Sequence, residues 1–257
     1  MVPALTDIKH LFLITGTTRG IGRALAATAL NRPNSFVVSL SRAAAFLKSN
    51  HQNIQIDLND TDHIGTAVES IHFDTSRSVF LENTILINNA GVLDPIAPIG
   101  DCDPGQLGRN IQVNLTAPLV LCHHFYRYSR GFAGQKYIVN ISSGAASVPY
   151  YGWSAYGASK AGLEMATGAM AMEFSRLDPS FNACAIAPGT VDTAMQAKIR
   201  HCTRDQFEQV EKFHELRSSG GLAAPDHVAS TLIRLLMAGR FANGGRYDLR
   251  DFEKTNK

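Results

Sequence analysis

Alternation of short β-rich runs with longer amphipathic stretches constrains this 257-residue chain more than any other feature. Residues 11–15 are apolar and end in a glycine-rich turn; Ile21, Leu25, Thr28 and Ala29 then fall on one helical face. Residues 36–40, 54–57, 84–87, 136–141 and 182–187 repeat the pattern, and 246–249 give a last strand. This alternation predicts an α/β fold, with a mostly parallel sheet covered by helices on both faces. The longest interruption is residues 190–221, where Phe207, Val210, Phe213 and Leu216 make a helical pattern. It reads as an insertion that folds over a site. No repeat, linker or low-complexity tract divides the chain, so residues 1–257 are expected to form one domain, large enough to need no disulfide or metal staple.

In doubly wound sheets of this kind, the Rossmann fold, ligands bind at the carboxyl ends of the strands. The first such end carries Gly16, Gly20 and Gly22. Gly16 permits a tight turn, Gly20 lets backbone approach a pyrophosphate, and Gly22 lets the following helix sit close. The helix N-terminus then offers free N–H groups to phosphate. A net charge of +2 provides no basic stripe, which argues against nucleic acid as the main partner. The apolar run 11–14 stops at Gly16, too short for a secretory segment or a membrane span, and no later stretch reaches about 18 uncharged apolar residues. Cys102, Cys122, Cys184 and Cys202 form no C-x-x-C pair and are read as reduced thiols. These features together lead us to expect a cytoplasmic protein. His123 and His124 lack metal-ligand spacing, so no catalytic metal is expected.

Tyr156 and Lys160 are four residues apart at the start of a helical pattern through Ala161, Leu163, Met165 and Ala166, which sets both on one face. A phenol of pKa near 10 is a poor acid–base catalyst at neutral pH. An ammonium about 4 Å away would stabilise phenolate by roughly 4 kcal/mol at an effective dielectric near 20, enough to bring it near working pH. Upstream, Pro118 has no N–H to offer the carbonyl of Asn114. The helix should bend there, and the freed carbonyl could hold a water reaching Lys160; equally, Pro118 could merely kink a packed helix.

Thr15 to Gly22, Asn88-Asn89-Ala90-Gly91, Ile141-Ser142-Ser143, Tyr156-Gly157-Ala158-Ser159-Lys160 and Pro188-Gly189 occur in this order across almost the whole chain. Together they resemble the short-chain dehydrogenase/reductase family. The resemblance implies that Tyr156 is the general acid that protonates a carbonyl oxygen. Lys160 would lower its pKa and bind the nicotinamide ribose, and Ser143 would hydrogen-bond the substrate oxygen. Ser142 competes for that role; Ser143, thirteen positions before Tyr156, has the better spacing. Asn114 matches the family's helical Asn. The cofactor would be held by Gly16, Thr18, Arg19, Gly20, Ile21, Gly22, Arg42, Asp57, Leu58, Asn89, Ala90, Gly91, Tyr156, Lys160, Pro188, Gly189, Val191 and Thr193. Helices around Asn114 and after Tyr156 would form a homodimer or homotetramer interface.

The second strand ends Ser39-Leu40-Ser41-Arg42, with no carboxylate to bind the adenosine ribose hydroxyls. Arg42, with Arg19 in the turn, points to NADP(H), against the blander reading of Arg42 as a solvated surface charge. A narrower resemblance, in residues 151–156, 187–196 and 245–248, is to the subgroup containing sepiapterin reductase and the bacterial benzil reductases. It implies an NADPH-dependent carbonyl reductase acting on a small-molecule ketone, one carbonyl of a vicinal dicarbonyl. Trp153 would line an aromatic substrate slot or else belong to the core. Asp248 would anchor a pterin ring or else pair with Arg246 or Arg250. Thr190-Val191 and Gly157-Ala158-Ser159 depart from sepiapterin reductase and argue against a pterin substrate. Two rivals are a catalytically silent NADPH-binding regulator and a structural oligomer; intact Ser143, Tyr156 and Lys160 argue against the first.

Overall fold

A computed structural model describes residues 8–44, 49–73 and 80–254. Its strands are β1 His10–Thr15, β2 Ser35–Ser41, β3 His51–Gln55, β4 Asn83–Asn88, β5 Gln135–Ile141, β6 Phe181–Ala187 and β7 Arg246–Asp248. They form one seven-stranded sheet in the order β3-β2-β1-β4-β5-β6-β7, with every pairing parallel. β3 differs from the predicted 54–57: it starts at His51 and ends at Gln55. It is an edge strand of polar residues, with Gln52 Nε2 donating to the Ser70 carbonyl and His51 bonded to Ser39, so apolar alternation does not mark it.

Both faces of the sheet are covered. Leu11 and Leu13 of β1 pack with Leu121 and Phe125 of α4 (Ala117–Ser129) and Phe174 of α5 (Ser154–Leu177). Phe12 and Ile14, one residue out of phase, pack with Leu25 of α1 (Gly20–Leu30) and Leu232 of α8 (Pro225–Met237). The period of two sends alternate side chains into two separate cores, which is why a central parallel strand reads as a continuous apolar run. These four residues are fully buried, and each burial is worth roughly 1.5–3 kcal/mol.

α2 (Ile64–Glu69) lies beside α4. α3 (Pro104–Ile111) is capped by Asp103, which accepts from the Gln106 amide at 2.9 Å. Between α3 and α4 the helix widens into a π-helical segment, Gln112–Thr116, so the distortion expected from Pro118 falls around Asn114. α6 (Ala194–Arg200), α7 (Val210–Ser218) and the short α9 (Leu249–Lys254) complete the chain. Among the described residues no helix is long and apolar enough to cross a membrane, and all four cysteines are free. Chain order reverses between β1 and β4, which opens a crevice at their carboxyl ends.

Candidate active site

The turn after β1 forms the crevice floor. Gly16 has φ +71°, and a Cβ at Gly22 would stand 2.2 Å from the Gly16 carbonyl oxygen and 2.4 Å from Asn89 Nδ2. α1 therefore starts directly against the turn, and no larger residue fits at Gly22. Thr15 fixes the opposite wall: its hydroxyl accepts from the amides of Asn89 and Ala90, both at 2.9 Å, and Asn89 Nδ2 donates to the Thr15 carbonyl. Thr15 opens the glycine-rich motif in the sequence, but its clamping role is not visible there because its partners lie more than seventy residues away.

A second clamp holds the chain after β4. Asn114 donates to the Val92 carbonyl and accepts from the Val92 amide, each at 2.8 Å. Asn110, one turn earlier and fully buried, donates to the Asp94 carbonyl at 2.7 Å and bonds Asn114 at 2.9 Å. The side chain of Asn114 is thus committed to the loop after β4. Asn110 was missed, although its four-residue spacing from Asn114 is visible in the sequence.

Tyr156 and Lys160 share the inner face of α5, and both are buried. Lys160 Nζ donates to the Ile141 carbonyl at 2.8 Å and lies 5.9 Å from the centre of the Tyr156 ring. Burial pushes the Tyr156 phenol above its ordinary value, opposed by a hydrogen bond with Ser143. Burial also lowers Lys160 to about 8, opposed by the charge of Glu164. This corrects the expectation from spacing alone: the ammonium is held by backbone rather than by the phenol, and desolvation drives both groups toward neutrality. Of the two competing serines, Ser142 gives its hydroxyl to Glu164 at 2.5 Å, whereas Ser143 faces Tyr156.

The cleft above these residues encloses about 820 Å³. Its lining includes Gly16, Thr18, Arg19, Gly20, Ile21, Gly22, Arg42, Asp57, Leu58, Asn89, Ala90, Gly91, Tyr156, Lys160, Pro188 and Thr193. Arg109 and Lys198, unmarked in the sequence, add cations to Arg19, Arg42 and Lys160, while Asp57 and Asp94 are the carboxylates of the lining. Asp94 is ion-paired to Lys198 of α6 across the cleft. A cradle that Cβ atoms would fill, a helix N-terminus and an excess of cations fit a dinucleotide pyrophosphate.

Other expected residues lie elsewhere. Val191 is buried in the core and bridged to Ala223, and Gly189 faces the side chain of Arg250. Trp153 is buried at the start of α5, edge-on to Tyr156 at 5.4 Å and 4.5 Å from Phe207, with Tyr150 and Phe213 around it. Of the two alternatives for Asp248, the structure shows the pairing: Arg250 grips both its oxygens, at 2.9 and 2.5 Å, and Asp248 is not among the residues that line the cleft. The bidentate fork of Arg250, two residues on, satisfies both carboxylate oxygens.

Comparison with known proteins follows the same lines. A family model described as short chain dehydrogenase matches residues 10–203. Benzil reductase ((S)-benzoin forming) of Bacillus subtilis is 38% identical over 248 residues, covering 95% of this chain and 99% of that protein. Sepiapterin reductase of Mus musculus is 29% identical over 257 residues, covering 93% and 96%. The crystal structure of the KRED1-Pglu enzyme superposes with a TM-score of 0.78 at 28% identity, over 93% of this chain and all of that one.

Proposed function

The chain belongs to the short-chain dehydrogenase family of nicotinamide-dependent oxidoreductases, and from that premise we propose an NADPH-dependent reductase of one carbonyl of a vicinal dicarbonyl. The observation that carries this reading is the buried Tyr156–Lys160 pair of α5, which lines the glycine-turn cleft with the half-buried Ser143, just after β5, facing the phenol. Arg42 and Arg19 would hold the 2′-phosphate, with Gly16 to Gly22 and Asn89 to Gly91 cradling the rest. When bound, the reduced nicotinamide supplies the hydride.

Tyr156 Oη carries its proton at neutral pH, as an ordinary phenol does, and burial further disfavours the phenolate, so Ser143 and Lys160 must stabilise the charge that proton transfer leaves. Ser143 binds the substrate oxygen and steadies the phenolate left after proton transfer. Lys160, still charged below about pH 8, is oriented by the Ile141 carbonyl and adds positive charge beside that phenolate. Trp153, Phe207 and Phe213 form a buried aromatic cluster packed on Tyr156, with Tyr150 against it, and would back the substrate end of the cleft. The segment 190–221 would cover that substrate, since Ile199, Phe207 and Phe213 already pack on Trp153 and Tyr156.

The test is NADPH oxidation with benzil, other vicinal diketones, quinones and a pterin. Turnover is expected with benzil, and faster with NADPH than with NADH. A protein that binds NADPH but consumes none with any of them would be the silent regulator instead. Asp248→Asn is expected to change diketone and pterin turnover in parallel, each by less than about fivefold, as for a partly exposed ion pair; selective loss of pterin turnover would restore the anchor. Met165 and Met172 of α5 are 77% and 67% exposed, which supports a homodimer through that helix, checked by sedimentation of the purified protein.

A further inference from the structure

Where α5 crosses β5, alternate strand residues meet successive helical turns. Ile138 shares a core with Ala171 and Phe174. Asn140 Nδ2 donates to Thr167 Oγ1 at 2.8 Å. Ser142 Oγ donates to Glu164 Oε1 at 2.5 Å, and the Ile141 carbonyl takes Lys160 Nζ. The contacts pass from apolar to polar to ionic as they approach the cleft. Glu164 has a second partner, Arg246 Nε of β7 at 2.7 Å, and its side chain is only 12% exposed. A carboxylate is thus fixed one helical turn beyond Lys160, gripped by residues at the ends of two strands.

We propose that Glu164 is a positioning residue for the reaction: clamped by Ser142 and Arg246, it sets the negative potential that keeps the buried Lys160 ammonium charged. It also diverts the Ser142 hydroxyl, leaving Ser143 as the serine that meets the phenol. This rests on the reading of Tyr156 and Lys160 as catalytic. Nothing in that reading requires an acid at 164, since a buried lysine could be held by backbone alone. The groups around Lys160 are Tyr156 and Glu164 from α5, the Ile141 carbonyl and Ser142 from the end of β5, the neutral Asn114 behind Gly91, and Arg246 beyond Glu164. Burial lowers the pKa of Lys160 and Glu164 raises it.

The sign follows. Reduction needs the proton-bearing form of the Tyr156–Lys160 pair, so kcat/KM falls as pH rises through the pKa of the pair. Glu164→Gln removes the raising charge and should move that basic limb down by about one pH unit. Glu164→Asp, which keeps the charge, should bring the limb back toward the parent. Arg246→Met leaves the carboxylate un-neutralised and should move the limb up. Arg246 is half-exposed, so this variant should fold even if Glu164→Gln does not.

The experiment is the pH profile of kcat/KM for diketone reduction at saturating NADPH, with a melting temperature for each variant. Opposite shifts in Glu164→Gln and Arg246→Met support the proposal. An unmoved limb in Glu164→Gln, with only lower amplitude or lower melting temperature, overturns it and makes Glu164 a bracket between α5 and β7. If Glu164→Gln does not fold, an unmoved or downward limb in Arg246→Met overturns it equally. Lys160→Met separates the two levels: full turnover there refutes the catalytic lysine itself, whereas lost turnover with an unmoved Glu164→Gln limb refutes the positioning role alone.

Discussion

Tyr156→Phe is expected to lower kcat for diketone reduction by at least about 10²-fold while NADPH affinity stays nearly unchanged. The substitution removes one oxygen and keeps the ring. That ring is buried, edge-on to Trp153, and packed in the cluster that includes Phe207 and Phe213, so the fold loses little apolar contact. What disappears is the phenol proton, held on the group whose conjugate base Ser143 can steady by a hydrogen bond. Lys160 cannot substitute directly, because its Nζ is committed to the Ile141 carbonyl and sits on the helix turn beyond the phenol. Single-turnover reduction followed by nicotinamide absorbance, with affinity from nicotinamide fluorescence, separates chemistry from binding. Near-normal turnover in the Phe variant would remove Tyr156 from the acid role.

Features legible in the sequence were those whose physics is local. Gly16 and Gly22 announce a turn because a positive φ and a 2.2 Å approach leave no alternative residue. Tyr156 and Lys160 announce a shared helical face because four residues make about one turn. The parallel sheet was legible because β1 and β2 are buried on both sides and so read as apolar runs, broken in β2 only by small serines. Where a role depends on chain-distant partners, the sequence was silent. Thr15 holds Asn89 and Ala90, and Glu164 joins β5 to β7; neither residue is unusual at its own position. β3 was displaced because an edge strand satisfies its polar residues sideways and shows no apolar alternation. The electrostatics of the site were legible in kind but not in direction. Spacing placed Lys160 beside Tyr156, but only burial reveals that desolvation governs both groups.

Arg42→Ala is expected to weaken NADPH binding about ten- to a hundredfold and to leave NADH nearly unaffected. The two cofactors differ only in the 2′-phosphate, so the difference isolates one contact. A charge-assisted hydrogen bond to phosphate is worth roughly 1.5–3 kcal/mol, which converts to that range of affinity. Arg42 is exposed at the end of β2, where it lines the cleft with Ser41 and Ala43 and no carboxylate follows the strand. Arg19, exposed in the glycine turn, lines the same cleft. A dianion brought between two such cations is screened by salt, so the NADPH advantage should shrink as ionic strength rises while NADH affinity changes less. Arg19→Ala should act in the same sense, and the double variant should bind the two cofactors almost equally. Dissociation constants for both cofactors at low and high salt decide the matter. An equal loss for NADH and NADPH in Arg42→Ala would mean that the guanidinium supports the loop after β2 and does not read the phosphate.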